Sequence, residues 1–378
     1  MILVLLVAMA LAVTSLAILT LNFMTAQRLE RWKSTSNHSP RVTLMIPFRN
    51  EAENLKRTLP FLRKIQYPGL KVLLLNDQSE DIGPYLAQDI ALHDPDRFRV
   101  VDGKPLPEGW VGKNWACHQL SELEVELSNQ SDSGATDSDI LIFCDADVEV
   151  GPQAVMQTVA AMEGLRADAL TAFLGQKLET WSEKAIIPLV MQLSIFSLLP
   201  LHFLPIWRSP AAVVSNGQWF AFRRSAYRSV RGHAGVKAKV LEDMELGRRL
   251  HIRKLKLIPV VSNLSLQVRM YHSWDELRAG FGKNLSSLTG GGIFGALFAS
   301  GWILLSWMIA PLTPLGFLVV FMQRVLLVRI FSTSARASLE SIALHWVGAA
   351  LTIYLIFYSY VVRVFGRSQW KGRSLADF

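Results

Sequence analysis

The side chains best suited to chemistry in this 378-residue chain are acidic ones that directly follow short apolar segments. Asp145 and Asp147 are separated by one residue and come directly after the apolar segment 140–144. Two such carboxylates can hold a hard divalent cation, and Mg²⁺ commonly completes its shell with waters and substrate phosphates. The pattern therefore predicts a metal site that would also take a nucleotide diphosphate; the alternative is a solvated turn.

Three further side chains could serve the same site. Asp77, after the apolar segment 70–75, could accept hydrogen bonds from a base or a ribose, or could cap a turn. Lys113, on a loop rich in tryptophan, offers a point charge for a phosphate, unless that loop only packs. Asp243 begins a predicted helix, where a carboxylate is favoured by the helix dipole. It is either a capping residue or a general base for an acceptor hydroxyl.

The elements that must position these side chains read as short buried strands separated by helical stretches, of which 50–63 is the clearest. This alternation predicts parallel βαβ units, and ligands of such sheets bind beyond the carboxyl ends of the strands. Polar side chains gather at those predicted ends. The predicted strands are 42–46, 70–75, 99–101 and 140–144.

The composition adds a membrane to this picture. Hydrophobic residues make up 51% of the chain and charged residues 19%, against about 25% charged residues in an average soluble domain. This excludes a disordered, collagen-like or small disulfide-stapled protein. No charged residue occurs in 1–27, 284–323 or 341–362. Each run reaches the roughly 20 residues that a helix needs to cross a bilayer.

The first run is interpreted as an uncleaved anchor and not as a cleaved signal peptide, because Arg28, Arg31 and Lys33 follow it. By the positive-inside rule, the residues after it are predicted to be cytoplasmic, in a multi-pass protein of the cell membrane. Cys117 and Cys144 would then be small buried residues in a reducing compartment. The net charge is +8, and many of the basic residues flank the apolar runs. This distribution suits an anionic membrane surface and not nucleic acid.

The predicted organisation is a transmembrane anchor followed by a catalytic domain, a membrane region of two or three helices and a basic tail. Within the catalytic domain, 185–207 is uncharged but interrupted by prolines, which favours an interfacial or membrane-associated segment. One span in 284–323 and a second in 342–362 would leave the basic tail inside, and this even count is preferred. A break at Pro311–Pro314 would instead give three spans. The predicted bounds are 1–27, 41–285, 286–365 and 366–378.

Taken in order, the motifs resemble the family-2 glycosyltransferases, which have an α/β fold called GT-A. Three further segments, Trp110–Ala116, Arg269–Tyr271 and Trp370–Arg373, are similar to the membrane-bound branch that contains carotenoid (diaponeurosporenoate-type) and hopene-associated glycosyltransferases. The segments that carry the family resemblance are Ile46–Asn54, Asn76–Asp81, Asp145–Asp147, Ser215–Gly217 with Phe222–Arg224, and Glu242-Asp243.

This resemblance implies a role for each candidate residue. Asp77 would contact the nucleotide base or ribose. Asp145 and Asp147 would bind Mg²⁺ or Mn²⁺, with Asp147 the preferred direct ligand, and Asp243 would be the catalytic base of an inverting transfer. Lys113 would assist at the phosphates. The other residues assigned to the nucleotide pocket or to substrate binding are Pro47, Arg49, Glu51 and Arg269.

Two departures from the family pattern refine the expectation. Asn76-Asp77 stands where the family usually has two aspartates, which weakens one nucleotide contact. The Gln-x-x-Arg-Trp signature of processive synthases is absent, and Gln267-Val-Arg269 occupies the comparable region. The expected reaction therefore adds one sugar, from a nucleotide-diphosphate sugar, to a hydroxyl or carboxyl group of a lipid acceptor such as a carotenoid or hopanoid.

Three alternatives stay open. One is a glycosyltransferase that acts on a polyprenyl phosphate or a glycerolipid. Another is a catalytically silent nucleotide-sugar-binding membrane protein, although such a protein would be expected to lack Asp147 or Asp243, and both are present. The third is a small transporter, but only Arg324 and Arg329 bring charge near an apolar segment, whereas carriers place polar residues within their spans.

Overall fold

The computed structural model of the chain divides into two compact units. The helical unit comprises Met1–Ala26, Gly175–Leu204 and Arg269–Asp377, and the sheet unit comprises Gln27–Leu174 and Pro205–Val268. The predicted domain 41–285 is thus divided, since 175–204 and 269–285 group with the apolar helices. The structure describes residues 1–33, 40–130, 136–192, 213–331, 334–365, 369–370 and 373–374.

One mixed sheet forms the framework of the sheet unit. Its strands follow the order β1-β9-β7-β8-β5-β2-β3-β4, and β6 pairs with β9. Strand β2 pairs in parallel with β3 and with β5, and β3 with β4, whereas β8 is antiparallel to β5 and β7. The four predicted strands and their parallel pairing are confirmed. The strands are β1 (Gln27–Arg28), β2 (Val42–Phe48), β3 (Lys71–Asn76), β4 (Phe98–Asp102), β5 (Ile140–Cys144), β6 (Val148–Val150), β7 (Ala169–Gln176), β8 (Trp219–Arg223) and β9 (Leu257–Val268).

The helices follow the expected alternation with the strands. Helix α2 confirms the predicted helix 50–63, and it buries Leu55, Leu59 and Leu62 on one face. The helices, in chain order, are α1 (Ile2–Thr25), α2 (Ala52–Arg63), α3 (Gly83–His93), α4 (Gly112–Asn129), α5 (Ala154–Gly164), α6 (Trp181–Met191), α7 (Arg224–Ser229), α8 (Glu242–Ile252), α9 (Trp274–Leu288), α10 (Ile293–Ile303), α11 (Pro314–Phe331), α12 (Ala335–Ala343) and α13 (His345–Val364).

The core that fixes the site lies where α4 and α8 pack on the sheet. Met45, Phe143 and Leu120 are all buried in it. Such continuous apolar strands are typical of parallel sheets that are covered on both faces. Cys117 and Cys144 are buried free thiols, as the sequence predicts.

Four helices of the helical unit are long and apolar enough to cross a membrane. They are α1, the segment Ile293–Leu312, α11 and α13. The segment Ile293–Leu312 begins with α10 and continues as a π-helical stretch and a 3₁₀ turn. The predicted anchor 1–27 is therefore an apolar helix, and most of the run 342–362 lies in α13.

The run 284–323 does not form one continuous helix. A helical segment ends at Leu312, Thr313 is extended, and α11 begins at Pro314. Proline has no N–H to donate and disfavours a helical residue before it, so Pro314 can begin a helix but cannot continue one. Three candidate spans therefore follow the sheet unit in sequence, the higher of the two counts that the sequence allows, and the preferred even number of crossings stays a prediction.

Some sequence predictions fall partly outside the described residues. In the apolar segment 185–207, α6 covers the first part up to Met191, and residues 193–212 are not described. Most of the basic tail 366–378 is likewise outside the described ranges. The interfacial interpretation of 185–207 stays a prediction.

Candidate active site

The two aspartates lie in the turn that joins β5 to β6. The Asp145 N–H donates to the Gln218 carbonyl at 3.2 Å, beside the antiparallel neighbour β8. Helix α2 holds the other side of the turn, because Arg57 donates to the Asp147 carbonyl at 3.3 Å and Thr58 to the carbonyl before it at 3.0 Å. The turn therefore places both carboxylates at the carboxyl end of β5, as predicted.

A lysine bridges two of the carboxylates in this region. The Lys113 ammonium, in the first turn of α4, lies 2.7 Å from Asp145 Oδ1 and 3.1 Å from Glu242 Oε1. Burial lowers the pKa of Lys113, but the charges of Asp145 and Glu242 raise it well above its ordinary value. The ammonium is therefore a permanent positive charge between a strand end and a helix start.

Asp243 is held by backbone donors on both oxygens. Oδ2 accepts from the Gly217 N–H at 2.8 Å, and Oδ1 accepts from the Met244 N–H at 2.7 Å. The Ser215 hydroxyl donates to the Asp243 carbonyl at 2.7 Å. Burial, reinforced by the Glu242 charge, raises the pKa of Asp243 to about 7. The carboxylate is thus held in one orientation, and its pKa lies close to neutral pH, as general-base catalysis requires.

The loop that serves Asp243 needs a glycine. A Cβ at Gly217 would lie 3.2 Å from both Glu242 Oε1 and Lys113 Nζ, and 3.3 Å from Asp243 Cβ. Any side chain there would crowd the lysine bridge. Glycine therefore allows one backbone N–H to reach Asp243 while the ion pair beside it stays intact.

The carboxylates of the β5–β6 turn fit a divalent cation. Asp147 Oδ1 is buried and has no hydrogen-bond partner in the described part of the chain. Burial and the charges of Asp145 and Glu51 raise the pKa of Asp147 to about 8. No three His, Cys, Asp or Glu side chains of the described residues converge on a metal position. Mg²⁺ needs only one or two carboxylates where a substrate phosphate completes the shell.

The predicted nucleotide-binding residues lie at the ends of β2 and β3. Pro47 lines the same pocket as Lys113, Asp145 and Asp243. Arg49 donates to the carbonyl of Asp77 at 2.7 Å and to the next carbonyl at 2.8 Å, and so ties the two strand ends together.

Glu51, predicted for the same pocket, accepts a hydrogen bond from Asn54 at 2.6 Å. The sheet unit therefore contains every predicted site residue except Arg269.

The asparagine that departs from the family pattern has a structural reason. Asn76 Nδ2 donates to Asp102 Oδ1 at 2.8 Å, and Asn76 Oδ1 accepts from the Ser79 N–H at 2.9 Å. An aspartate at position 76 would set two carboxylates against each other. The asparagine amide can instead donate a hydrogen bond to the carboxylate of Asp102, which ends β4.

Arg269 belongs to the helical unit, where its guanidinium lies 2.6 Å from Glu179 Oε2 and 3.0 Å from Glu183 Oε1. Glu183 also forms a capping box with Thr180 at the start of α6. The contacts within this unit thus give Arg269 a structural role, and its assignment to substrate binding stays a prediction.

Two residues of the pocket had no role in the sequence interpretation. Glu242 belongs to the Glu242-Asp243 segment that carries the family resemblance, but the sequence indicates for it only an acidic residue in the first turn of a helix. His233 lines the pocket, with Nδ1 2.8 Å from the Tyr227 hydroxyl. Burial lowers the pKa of His233 to about 3, so the ring is neutral.

A third residue, Asn114, forms hydrogen bonds to a segment that is far away in the sequence. Its buried side-chain amide donates to the carbonyls of Val236, Lys237 and Lys239 at 2.9, 3.2 and 2.9 Å. These bonds fix the loop that leads into α8 and thus the position of Asp243. No local signal could reveal them, because the partners are more than a hundred residues apart.

Comparison with known proteins supports this description of the fold. No protein-family model matches the chain. It is similar to 4,4'-diaponeurosporenoate glycosyltransferase of Staphylococcus haemolyticus, with 23% identity over 238 residues, 61% of this chain and 57% of that protein. The match thus spans little more than half of the curated relative.

A solved structure extends the likeness to nearly the whole chain. The mannosyltransferase PcManGT of Pyrobaculum calidifontis, solved with GDP-Man and Mn²⁺, has 16% identity and a TM-score of 0.50, and the match covers 96% of this chain and 99% of that one. Such low identity shows the fold alone. The chain therefore has the GT-A glycosyltransferase fold, with a carotenoid-type glycosyltransferase as a relative.

Proposed function

We propose that the protein is a metal-dependent family-2 glycosyltransferase that moves one sugar from a nucleotide-diphosphate sugar to a lipid acceptor, with inversion. The observation that carries the proposal is the pocket lined by Asp145, Lys113 and Asp243 in a GT-A sheet unit, with Asp147 in the same β5–β6 turn as Asp145. The catalytic name of the curated relative and the donor bound in the mannosyltransferase structure support it.

The donor would bind where the acidic turn meets the lysine bridge. Asp145 and Asp147 would hold Mg²⁺ or Mn²⁺, which when bound supplies positive charge to the departing diphosphate. Lys113 adds a fixed positive charge 2.7 Å from Asp145, and Asp77 offers acceptors to the base or ribose. These residues orient the donor and favour charge build-up on its leaving group.

Asp243 would act on the acceptor. A bond forms between the acceptor oxygen and the anomeric carbon as the bond from that carbon to the diphosphate breaks. The proton of the acceptor hydroxyl passes to an Asp243 oxygen, and the nucleoside diphosphate leaves with the electron pair. Attack from the face opposite the diphosphate inverts the anomeric centre. The N–H groups of Gly217 and Met244 keep the carboxylate oriented.

A lipid acceptor suits a chain with four helices apolar enough to cross a membrane. A carotenoid or hopanoid is our preferred acceptor because the curated relative acts on diaponeurosporenoate by name. A polyprenyl phosphate or a glycerolipid is the alternative.

Replacing Asp147 tests the metal site. Asp147→Asn should lower Mn²⁺ affinity at least about tenfold in the presence of GDP or UDP, because it removes a charged ligand. Electron paramagnetic resonance of free Mn²⁺ gives the affinity without an activity assay. Asp137→Asn, at an exposed ion pair with Arg228, is the matched control and should bind as the wild type does. Equal Mn²⁺ affinity in both variants would show that Asp147 is not a metal ligand.

Replacing Asp243 tests the base. Asp243→Asn should lower kcat for a hydroxyl acceptor by about 10²–10⁴, because the amide cannot take the proton. Nucleotide-sugar affinity, measured by calorimetry, should stay close to that of the wild type. Glu245→Gln on the same helix is the control and should keep kcat. If affinity collapses in Asp243→Asn while kcat holds, Asp243 is structural.

The pH profile gives the direction of the proton transfer. Because the pKa of Asp243 is raised to about 7, transfer to a hydroxyl should rise with pH and level off above that value as the carboxylate ionises. Glu242→Gln should move the midpoint to lower pH, since the Glu242 charge raises this pKa. A carboxylate acceptor has no proton to give and should show no such rise. A flat profile with a hydroxyl acceptor would count against the assignment.

For the membrane topology, we propose that the sheet unit is cytoplasmic, from the positive charges at Arg28, Arg31 and Lys33. If Ile293–Leu312, α11 and α13 all cross the bilayer, an odd number of crossings follows the sheet unit. A reporter active only in the cytoplasm and fused after Phe378 should then be silent, while one fused after Lys33 should be active. A signal from the Phe378 fusion would show that one of the three helices does not cross.

A further inference from the structure

A fully buried arginine lies in one of the apolar helices. Arg324, within α11, is 2% exposed, and its Nε, Nη1 and Nη2 atoms have no hydrogen-bond partner among the residues that the structure describes. A guanidinium keeps its charge in proteins and carries five N–H donors. An unpaired buried charge is strongly destabilising, and an ionisable residue inside a membrane segment usually marks a functional site.

Arg324 has no acidic partner among the described residues of the helical unit. Each described carboxylate of this unit is engaged elsewhere. Of the residues outside the described ranges, only Asp132 and Asp377 are acidic, and neither belongs to an apolar run. The engaged pairs are Glu179 and Glu183 with Arg269, Glu340 with Lys184 and Arg336, Asp275 with Arg278, and Glu276 with the His272 N–H.

The immediate surroundings of Arg324 contain another unused donor. Its guanidinium carbon lies 5.1 Å from the ring centroid of Trp307. Trp307 is fully buried, and its Nε1–H also has no partner among the described residues. His345 Nε2 lies 2.8 Å from the Trp307 carbonyl, which anchors this tryptophan to α13. The face of the indole ring attracts the guanidinium charge but does not replace a hydrogen-bonding anion.

A neighbouring amide pair holds the frame around these donors. Gln323 donates to the Ala12 carbonyl at 2.7 Å and accepts from Gln192 at 2.9 Å. These bonds connect α11 to α1 and to the end of α6, all within the helical unit. Both polar atoms of the Gln323 amide are thus engaged, whereas Gln192 Oε1 is buried and has no hydrogen-bond partner among the described residues. An amide oxygen is neutral, so the Arg324 charge has no counter-ion in the described part of the chain.

We propose that Arg324 and Trp307 form a binding site for the phosphate or carboxylate group of an amphiphilic membrane molecule. The guanidinium fork matches both groups, since it can donate two parallel hydrogen bonds. Phe321 and Met322, exposed on the same helix, offer apolar surface to the hydrocarbon part. All the polar residues of this site belong to the helical unit, and none of them has a role in the proposed transfer chemistry.

Ligand binding to the full-length protein tests the site. The protein is purified in a neutral detergent, stripped of lipid, and titrated with phosphatidylglycerol, oleate, inorganic phosphate or neutral diacylglycerol. Affinity is read by native mass spectrometry. The wild type should bind at least one of the three anionic probes and not diacylglycerol. Arg324→Gln should lose at least about tenfold in affinity, while Arg329→Gln, an exposed arginine on the same helix, should bind as the wild type does.

The three anionic probes also identify the source of the anion. Binding of phosphatidylglycerol alone indicates a phospholipid, binding of oleate alone indicates a carboxylate lipid, and phosphate binding as tight as that of the lipid indicates the free ion. Absence of binding to all three in the wild type overturns the proposal, and this result needs no variant.

Thermal unfolding separates an anion site from a structural role. Without ligand, Arg324→Gln should unfold at the same or a higher temperature than the wild type, because it removes an uncompensated buried charge. With the bound anion, only the wild type and Arg329→Gln should gain stability. A lower unfolding temperature of Arg324→Gln both with and without ligand, together with unchanged anion affinity, would make Arg324 structural and overturn the proposal.

Discussion

The ammonium group of Lys113 is the interaction on which the candidate active site depends. It bridges Asp145 at the end of β5 and Glu242 at the start of α8, and its charge lowers the pKa of Asp145, Asp147 and Asp243 against the effect of burial. Without this cation, clustered carboxylates would repel one another or take up protons. The packing of β5, α4 and α8 therefore also sets the electrostatics of the site, because it brings the Lys113 charge between the carboxylates.

The helical unit presents the opposite charge problem. In the candidate active site, the carboxylates of Asp145, Asp147, Glu242 and Asp243 outnumber the one ammonium of Lys113, and a divalent metal would offset this excess of negative charge. In the helical unit, Arg324 has no acidic partner among the described residues, and the carboxylates that the structure describes there are paired with other residues. The same physical rule, that a buried charge needs a partner, thus points to a cation as ligand in one case and to an anion in the other.

The sequence predicted the features that depend on local pattern. Strands β2, β3 and β5 are continuous apolar runs, and Asp145 and Asp243 stand at a strand end and a helix start, so their positions follow from periodicity and order. The sequence did not predict contacts between distant segments, such as the contact of Glu242 with Lys113 or of Asn114 with the loop before α8. The break at Pro311–Pro314 was left as the less favoured of two possibilities, because charge and hydropathy alone do not show where backbone hydrogen bonding stops.

The tasks that we propose for Asp147 and Asp243 differ, although both are buried carboxylates of the same unit. Burial raises the pKa of both, but their hydrogen bonding differs. Asp243 receives an N–H on each oxygen, which fixes its orientation and leaves one lone pair on each oxygen for a proton. Asp147 keeps one buried oxygen without a donor in the described chain, the arrangement that a cation can satisfy and a proton-transfer base does not need. The proposed division of roles therefore rests on the backbone donors that each carboxylate meets.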